Sequence, residues 1–447
     1  MKLPLKPAKK IGGTLRVPGD KSIGHRSALL SIIARNPVTV VNFPDGADCQ
    51  TSLSIARQLG VTVEKIDSKL LLTPPSTLSV EAETILDCGN SGTTARLLAG
   101  LLAGSKCSAI LSGDESLSSR PMKRIVAPLT AMGAELFDTD GHLPLKVRGA
   151  SLLPFEYRLP VASAQVKSAI LLAGLSSGCS VTLYEDFLTR DHTERMIAAL
   201  GGEIEVEDTK AVMLEDPNDP RKKKMIHPHD YKRRIHLKPH STIEAGTIDI
   251  PGDISTAAYF FALAAISGKA VTVEGVGLNP TRTEFLDYLK AIGCAVTIDK
   301  KSTVSGEHRG DVTVIGGELK GKKISGEMTV GLIDEIPIVA VIAACAEGTT
   351  IIRDAGELKV KESDRLAAIA ENLRSMGVKV GLLEDGLAIE GSNELHGADI
   401  NSYNDHRIVM AFSIAAMVAV GPSVIDDSSV VAISCPTFYD LLAKVAR

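Results

Sequence analysis

The sequence predicts an α/β protein of two domains, built from six copies of one structural unit. In each copy, a helix rich in small apolar residues is followed by a short β-branched strand, a loop, an amphipathic helix and a further strand. Such recurrence is the signature of a repeated architecture. The chain has 447 residues, too many for one ordinary hydrophobic core. We therefore expect two domains of three units each.

The first helix of each unit is predicted from a run of small and apolar residues. These six helices begin at Ser22, Gly92, Ala164, Ile254, Asp334 and Asp405. The segments after them are rich in Val, Ile and Thr, which favour strands. These six strand segments begin at Pro37, Cys107, Cys179, Ala270, Thr349 and Pro422.

The second helix of each unit is predicted to end before a glycine. A glycine follows the last apolar residue of five of these helices, at Gly60, Gly133, Gly201, Gly293 and Gly377. Glycine in this place is a C-cap signal, because it readily adopts the left-handed conformation that ends a helix. The sixth second helix reaches the carboxyl terminus.

The domain boundary is predicted between the third and fourth units. The first domain then comprises residues 18–245, and the second comprises residues 1–17 and 246–447. Near this boundary lies a charged stretch from Glu215 to His240, which is either a surface loop or a nucleic-acid patch. We favour the loop, because Tyr231 is its only aromatic residue.

Composition excludes several classes of protein. A formal net charge of -5 argues against general nucleic-acid binding. The apolar runs that begin at Ile336 and Ile408 are too short to span a bilayer. The basic amino terminus lacks the apolar segment of a secretory signal, and the seven cysteines lack metal-binding spacing. We expect a cytoplasmic protein with no metal, nucleic-acid or membrane partner.

Polar and cationic side chains gather at the starts of the apolar helices. Helix amino termini carry unpaired N–H groups and a positive dipole end, so they bind carboxylates and phosphates. Any one of these side chains alone is better explained as a cap or a surface ion pair, but their recurrence favours a site for a heavily anionic ligand. They are Lys21, Ser22, Arg26, Asn90, Gly92, Arg96, Ser163, Gln165, Lys167, Asp334, Glu335, Asp405, His406 and Arg407. Loops add Arg120, Arg190, Lys361, Glu362 and Arg365.

The segment VPGDKS, from Val17, differs from a nucleotide-binding P-loop. A P-loop needs glycine directly before lysine, whereas Asp20 separates Gly19 from Lys21 here. The same turn recurs as IPGDIS around Gly252, without the lysine. We expect Lys21 to bind an anion from a helix start, and the second turn to be structural.

Nine segments, in order from Pro18 to Phe412, resemble the 5-enolpyruvylshikimate-3-phosphate synthase family, the 3-phosphoshikimate 1-carboxyvinyltransferases. They include PGDKSIGHR, SAQVKSAILLAGL, TRDHTER and ELKVKESDR. The resemblance implies an inside-out α/β barrel of two domains, each of three βαβαββ units, with helix amino termini facing an interdomain cleft. It implies a monomer without metal or organic cofactor.

The resemblance also implies the reaction. The enolpyruvyl group of phosphoenolpyruvate moves to the 5-hydroxyl of shikimate 3-phosphate and phosphate is released, in the shikimate pathway of aromatic amino-acid biosynthesis. The inhibitor glyphosate occupies the phosphoenolpyruvate pocket.

Residue roles follow from the same resemblance. The groups that resemble the catalytic residues are Asp334, Glu362 and Lys21. Those that resemble contacts of shikimate 3-phosphate are Lys21, Ser22, Arg26, Ser163, Ala164, Gln165 and Arg190. Those that resemble the phosphoenolpyruvate side are Lys21, Asn90, Gly92, Arg96, Arg120, Arg365 and Arg407. Lys361 and Glu362 resemble the pair that contacts substrate and handles protons.

The chain departs from the family pattern in two places. A lysine common near the carboxyl end is absent from residues 432–436, which read AISCP. The order Asp-Glu-Ile-Pro leaves either Asp334 or Glu335 as the base.

Two rival functions were weighed. The sister enzyme that acts on a UDP-amino sugar uses a loop cysteine, but none lies between Cys107 and Cys179 here. A non-catalytic anion sensor is disfavoured because Asp334, Glu362 and Lys21 are all present.

Overall fold

The computed structural model describes residues 1–81, 83–209, 212–216, 219–226, 230–392 and 394–447. The chain divides into two compact units. Unit 1 comprises residues 1–24, 40–50 and 248–447, and unit 2 comprises residues 25–39 and 51–247. The sequence predicts that residues 18–24 and 40–50 belong to the first domain, together with the residues of unit 2. They group with unit 1 because the turn at Gly19 pairs with the turn at Gly252.

The strands of the described residues are short. They are β1 (Leu3–Leu5), β2 (Gly13–Leu15), β3 (Val38–Val41), β4 (Thr62–Ile66), β5 (Lys69–Thr73), β6 (Thr84–Asp87), β7 (Ser108–Ser112), β8 (Glu135–Thr139), β9 (His142–Arg148), β10 (Phe155–Arg158), β11 (Val181–Glu185), β12 (Ile204–Asp208), β13 (Val212–Asp216), β14 (Asp219–Ile226), β15 (Arg233–Leu237), β16 (Gly246–Asp249), β17 (Val271–Gly277), β18 (Ala295–Val304), β19 (Glu307–Ile315), β20 (Lys323–Ile324), β21 (Thr349–Ile352), β22 (Lys379–Leu383), β23 (Gly386–Glu390), β24 (Asp399–Ile400) and β25 (Ser423–Ile425).

The helices alternate with these strands. They are α1 (Lys21–Ile32), α2 (Ala47–Gln58), α3 (Gly92–Ala103), α4 (Glu115–Ser118), α5 (Lys123–Ala131), α6 (Ala164–Ser177), α7 (His192–Ala199), α8 (Ile254–Ser267), α9 (Glu284–Ala291), α10 (Glu327–Leu332), α11 (Ile336–Ala344), α12 (Arg365–Ser375), α13 (His406–Ala416) and α14 (Phe438–Val445), with 3-10 turns at Gly356–Val360 and Ser429–Ile433.

One sheet design recurs, as the predicted repeat requires. The sheet of the second repeat has the strand order β6-β7-β9-β8. The sheets of the third and fifth repeats have the corresponding orders β10-β11-β15-β12 and β20-β21-β23-β22. In each of these sheets the first pair is parallel and the later pairs are antiparallel. The predicted α/β fold of repeated units is therefore confirmed.

The predicted apolar helices form where expected and are buried. All nine residues of α11 are buried, because it is apolar on every side. It begins at Ile336, two residues after the predicted start at Asp334, so Asp334 and Glu335 lie in the turn before it. Helices α8, α11 and α13 contribute to one core in unit 1.

The five predicted C-cap glycines adopt the conformation that the prediction required. Their φ angles are +92° at Gly60, +107° at Gly133, +88° at Gly201, +113° at Gly293 and +87° at Gly377. These angles are costly for residues with a Cβ. The predicted ends of the second helices are therefore confirmed.

Two glycines let α3 and α6 pack in direct backbone contact within unit 2. A Cβ at Gly100 would lie 2.1 Å from the Ala169 carbonyl oxygen, and one at Gly104 would lie 2.1 Å from that of Ala173. The helices can approach this closely only because both positions lack a side chain. Their amino termini are thereby held side by side.

The predicted surface loop from Glu215 to His240 is largely strand, so the prediction of a loop was wrong. Strands β13 and β14 pair as an antiparallel hairpin, and β15 lies between β11 and β12 in a four-stranded sheet. The lysines and arginines of this stretch conceal the alternation of β15, where Arg233, Ile235 and Leu237 are buried. Residues 217, 218 and 227–229 of the stretch lie outside the described residues.

Candidate active site

The two PGD turns of unit 1 together fix the start of α1. Their backbones pair, since Asp20 N–H donates to the Pro251 carbonyl at 2.8 Å and Asp253 N–H donates to that of Pro18 at 2.9 Å. The Asp253 carboxylate accepts from Lys21 N–H at 3.0 Å and from Thr256 N–H at 3.0 Å, so it caps both α1 and α8. The turn at Gly252 is structural, as expected, and it places Lys21.

The Lys21 ammonium forms a salt bridge with Asp48 in the first turn of α2. Burial lowers the pKa of Lys21, but attraction by Asp48 outweighs that effect, and the pKa lies above its ordinary value. Lys21 is therefore a cation, with 22% of its side chain exposed. Asp48 was not among the residues selected from the sequence. It lies where a loop leads into the second helix of its repeat, the place that supplies polar site residues in other repeats.

Arg365 is fully buried in unit 1 and is surrounded by carboxylates. Its Nε donates to Asp405 at 2.7 Å and its Nη2 donates to Glu362 at 2.7 Å, while Nη1 lies 3.8 Å from Asp334. Burial alone would raise the pKa of the Asp405 carboxyl, but Arg365 holds it below its ordinary value. The predicted residues Glu362, Arg365 and Asp334 thus form one cluster, with Asp405 as its buried anchor.

Arg407, at the start of α13, faces both candidate bases. Its Nη1 donates to the backbone carbonyl of Asp334 at 2.8 Å, and its Nη2 lies 3.7 Å from the Asp334 carboxylate. The Glu335 carboxylate lies 3.8 Å from Nη1 on another side. Burial lowers the pKa of Arg407, but nearby groups, with Asp334 foremost, raise it above its ordinary value. Arg407 therefore remains charged.

Glu335 also contacts two residues that the sequence analysis did not select. Its Oε1 accepts a hydrogen bond from Ser255 Oγ and lies 3.6 Å from the Arg282 guanidinium, which donates to the same hydroxyl. Arg282 lies in the loop between a strand and a second helix, the place of Arg120 and Arg190 in their repeats. Comparing the loops of all six repeats would have identified Arg282.

His406 is buried beside these charges and is neutral. Burial and the nearby Lys21 ammonium lower its pKa to about 4. Its Nδ1 has no hydrogen-bond partner among the residues that the structure describes. By contrast, Lys361 lies at the edge of the cluster, where its ammonium is 3.1 Å from Glu357.

In unit 2, the starts of α3 and α6 share a network of hydrogen bonds. Arg96 Nη1 donates to Gln165 Oε1 at 2.8 Å, and Gln165 Nε2 donates to Thr93 Oγ1 at 3.0 Å. Ser163 is the N-cap of α6 and accepts from Val166 N–H at 3.4 Å, while Ala164 is the first residue of that helix. The structure thus brings the predicted residues of the second and third repeats together.

Arg120 is buried next to the loop that precedes α3. Its Nη2 donates to Asn90 Oδ1 at 3.0 Å and to Ser116 Oγ at 3.1 Å. The Asn90 amide in turn donates to Asp114 at 2.8 Å. A Cβ at Gly92 would lie 2.9 Å from the Arg96 Nη1 atom and 3.4 Å from that of Arg120. Gly92 therefore leaves the space that both guanidiniums occupy.

Lys167 does not lie in the anion site that its place near the start of α6 suggested. Its side chain is fully buried and its ammonium lies 3.0 Å from Glu185 and 2.8 Å from Glu194. Burial lowers the pKa of Lys167, but the two carboxylates outweigh it and raise the pKa. Lys167 is therefore an internal ion-pair residue. Arg190 is half-buried in the loop that follows β11.

Neither a membrane span nor a metal cluster is found among the described residues. No helix there combines the length and the apolar character needed to cross a membrane. No group of three or more His, Cys, Asp or Glu side chains there is arranged to hold a metal ion.

Comparison with known proteins identifies the family. The EPSP synthase (3-phosphoshikimate 1-carboxyvinyltransferase) family model matches residues 5–231 and 223–442. The chain belongs to the EPSP synthase family. A 3-phosphoshikimate 1-carboxyvinyltransferase of Herpetosiphon aurantiacus is 44% identical, covering 100% of this chain and 99% of the relative. That of Salinibacter ruber is 43% identical, covering 98% of each chain.

Solved structures agree with this EPSP synthase assignment. The EPSP synthase of Acinetobacter baumannii superimposes with a TM-score of 0.81 and 37% sequence identity, covering 100% of this chain and 98% of that one. The family resemblance drawn from the nine segments is therefore confirmed.

Proposed function

We propose that the charged clusters of units 1 and 2 perform different parts of the EPSP synthase reaction. As a member of this family, the chain transfers the enolpyruvyl group of phosphoenolpyruvate to the 5-hydroxyl of shikimate 3-phosphate and releases phosphate, a step of the shikimate pathway. The cluster of unit 1 handles protons and also supplies cations that bind phosphoenolpyruvate. The cluster of unit 2 binds anionic groups and transfers no proton.

Both substrates carry a carboxylate and a phosphate, so several negative charges must be neutralised at once. Guanidinium groups suit this task, because their planar donors match carboxylate and phosphate oxygens. The residues proposed to bind shikimate 3-phosphate are Lys21, Ser22, Arg26, Ser163, Ala164, Gln165 and Arg190. Those proposed for phosphoenolpyruvate are Lys21, Asn90, Gly92, Arg96, Arg120, Lys361, Arg365 and Arg407.

The reaction is addition followed by elimination. A base removes the proton of the 5-hydroxyl while an acid protonates the methylene carbon of phosphoenolpyruvate. The tetrahedral intermediate then loses a proton from the new methyl group to a base and expels phosphate, which restores the double bond. We assign the base to Asp334 and the remaining proton transfers to Glu362 and Lys21. Their shared cluster supports this, since Glu362 and Asp48 both stabilise the charged form of Lys21.

The arrangement of Asp334 carries the proposal, and it favours Asp334 over Glu335 as the base. Asp334 lies 3.7 Å from the Arg407 guanidinium and 3.8 Å from that of Arg365, at ion-pair distance. Its side chain is 14% exposed, whereas that of Glu335 is 6% exposed and its Oε1 accepts from Ser255. The more exposed carboxylate is the more accessible to a substrate hydroxyl.

We also propose that the enzyme works as a cytoplasmic monomer, with most of the shikimate 3-phosphate contacts in unit 2 and the proton-transfer groups in unit 1. It needs no metal or organic cofactor, because the chemistry requires only proton transfer and charge neutralisation. The net charge of -5 supports the absence of nucleic-acid binding.

Phosphate release from shikimate 3-phosphate plus phosphoenolpyruvate tests the function, and a UDP-amino sugar in place of shikimate 3-phosphate tests the rival. We expect release only with shikimate 3-phosphate. Asp334→Asn should lower kcat by roughly 10²–10⁴, the usual contribution of a general base, while Glu335→Gln keeps most of the turnover. The opposite ranking would identify Glu335 as the base.

A further inference from the structure

We propose that Ser168 and Thr193 are positioning residues that orient the Arg26 guanidinium toward shikimate 3-phosphate. This inference rests on the proposed function, in which Arg26 binds that substrate. All three residues lie in unit 2. Ser168 and Thr193 belong to two of the segments that carry the family resemblance, SAQVKSAILLAGL and TRDHTER.

The three side chains form a closed triangle. Arg26 Nε donates to Thr193 Oγ1 at 2.7 Å, and Arg26 Nη2 donates to Ser168 Oγ at 2.8 Å. The two hydroxyl oxygens are themselves 2.7 Å apart. All three contacts are at ordinary hydrogen-bond distance.

This triangle fixes the plane of the guanidinium. The five N–H donors of arginine lie in one rigid plane, so two contacts at different nitrogens determine its orientation. Each hydroxyl has two acceptor lone pairs and one proton. Each can therefore accept from Arg26 while one of them donates to the other. Because both hydroxyls are neutral, these two contacts orient the guanidinium without placing a negative charge beside it.

Neither hydroxyl is placed to touch a substrate. Ser168 and Thr193 are both 0% exposed, and Arg26 itself is 3% exposed. Their effect on a ligand must therefore pass through Arg26. This indirect action distinguishes Ser168 and Thr193 from Ser163 and Gln165 at the start of α6, which are proposed to contact the substrate themselves.

A buried ion pair keeps the two hydroxyls in place. Ser168 is on α6 and Thr193 is on α7, and their direct neighbours Lys167 and Glu194 form a salt bridge of 2.8 Å between the same two helices. Lys167 also bonds to Glu185 at 3.0 Å at the end of β11. The two helices are thus held together at two consecutive positions. Moving the hydroxyl pair away from Arg26 would break the buried ion pair of Lys167 and Glu194.

Isosteric variants of the full-length enzyme test the proposal. Thr193→Val keeps the shape and removes the acceptor, Thr193→Ser restores it, and Ser168→Ala removes the second acceptor. The control is Thr182→Val, which removes another hydroxyl of unit 2, 3.0 Å from His236 Nδ1. The readouts are KM for each substrate and kcat from phosphate release, and the Kd of shikimate 3-phosphate alone by calorimetry.

We expect Thr193→Val and Ser168→Ala each to raise KM and Kd for shikimate 3-phosphate by about ten- to hundredfold, the effect of one hydrogen bond to a charged group. KM for phosphoenolpyruvate should change far less, and Thr193→Ser should restore the wild-type affinity. Thermal unfolding checks that each variant is folded. If Thr193→Val does not fold, the result for Ser168→Ala decides whether the positioning role stands.

Equal loss for both substrates, or an equal effect of Thr182→Val, would overturn the positioning role. Wild-type enzyme that binds shikimate 3-phosphate but releases no phosphate would overturn the proposed function alone, because the calorimetric comparison still tests Arg26.

Discussion

The guanidiniums of the two units have different partners. In unit 1, Arg365 contacts the carboxylates of Asp405 and Glu362, and Arg407 faces Asp334 and Glu335. In unit 2, Arg26, Arg96 and Arg120 donate to hydroxyl and amide oxygens. The partners differ although Arg26, Arg96 and Arg407 lie in the first two turns of similar apolar helices.

This difference separates two tasks. A carboxylate beside a guanidinium is stabilised in its charged form and is available as a proton acceptor. A hydroxyl or amide beside a guanidinium orients it while leaving its charge for a ligand. One repeated fold can thus serve proton transfer in one unit and anion binding in the other, because only the partners of the arginines change.

Lys167 is a cation of unit 2 that pairs with two carboxylates far from solvent. Lys167→Met should lower the free energy of unfolding by about 3–5 kcal/mol, because two buried carboxylates lose their counter-ion. The measurement is urea unfolding at pH 7. Lys379→Met, at an exposed ion pair with Glu390, is the control and should leave stability nearly unchanged. Equal effects would mean that the buried pair adds nothing to stability.

Gly92→Ala should disturb the orientation of the unit 2 guanidiniums. The added methyl would lie 2.9 Å from Arg96 Nη1 and 3.4 Å from Arg120 Nη1, so the Arg96 guanidinium must shift while that of Arg120 comes into contact with the methyl. One methyl clash costs about 1–3 kcal/mol, roughly ten- to two-hundredfold in affinity. Glyphosate, which is longer than phosphoenolpyruvate, should lose more affinity than the substrate does.

The inhibition constant of glyphosate and KM for phosphoenolpyruvate, in both proteins, measure this effect. Gly381→Ala is the control, because its methyl would make only an ordinary 3.7 Å contact with Ala388. If Gly92→Ala weakens glyphosate no more than phosphoenolpyruvate, Gly92 does not line a shared pocket.

His406 should make the stability of unit 1 depend on pH. Its folded pKa of about 4 lies below the ordinary value of 6.5, so the folded protein keeps it neutral while the unfolded chain takes up a proton. Stability should therefore fall as pH drops from about 6.5 toward 4, by up to about 1.4 kcal/mol per pH unit. His406→Gln should lack this part of the loss.

Unfolding free energies at pH 7 and pH 5 give the comparison. The exposed His396→Gln should retain the pH dependence of the wild type. Indistinguishable pH dependence in His406→Gln and wild type would show that His406 is not held neutral by the fold.

Local patterns predicted the architecture well. The starts of the apolar helices and the glycines at Gly60 and Gly377 were identified correctly, because helix ends depend on residues close in sequence. The strand character of residues 233–237 was missed, because charged residues on one face obscured the alternation. Hydrophobic periodicity is weak evidence where the exposed face dominates the composition.

The partners within the site could not be predicted in the same way. Arg365 bonds to Asp405 across 40 positions, and Lys167 bonds to Glu185 across 18. Such pairs depend on how elements pack, and the sequence shows only that charges exist. The same limit leaves both Asp334 and Glu335 open in the sequence, and the contacts of Ser255 and Arg282 with Glu335 support the proposal of Asp334 as the base.

The central claim is that the proton-transfer groups lie in unit 1, whereas the cluster of unit 2 binds anions and transfers no proton. The most direct test is one phosphate-release assay, at saturating shikimate 3-phosphate, on Asp334→Asn and Arg120→Lys. We expect Asp334→Asn to lose kcat with KM for phosphoenolpyruvate within about threefold of wild type, and Arg120→Lys to raise that KM at least about tenfold with a much smaller loss of kcat. If Asp334→Asn instead raises KM at full kcat, or Arg120→Lys abolishes kcat at unchanged KM, the division of tasks between the units is contradicted.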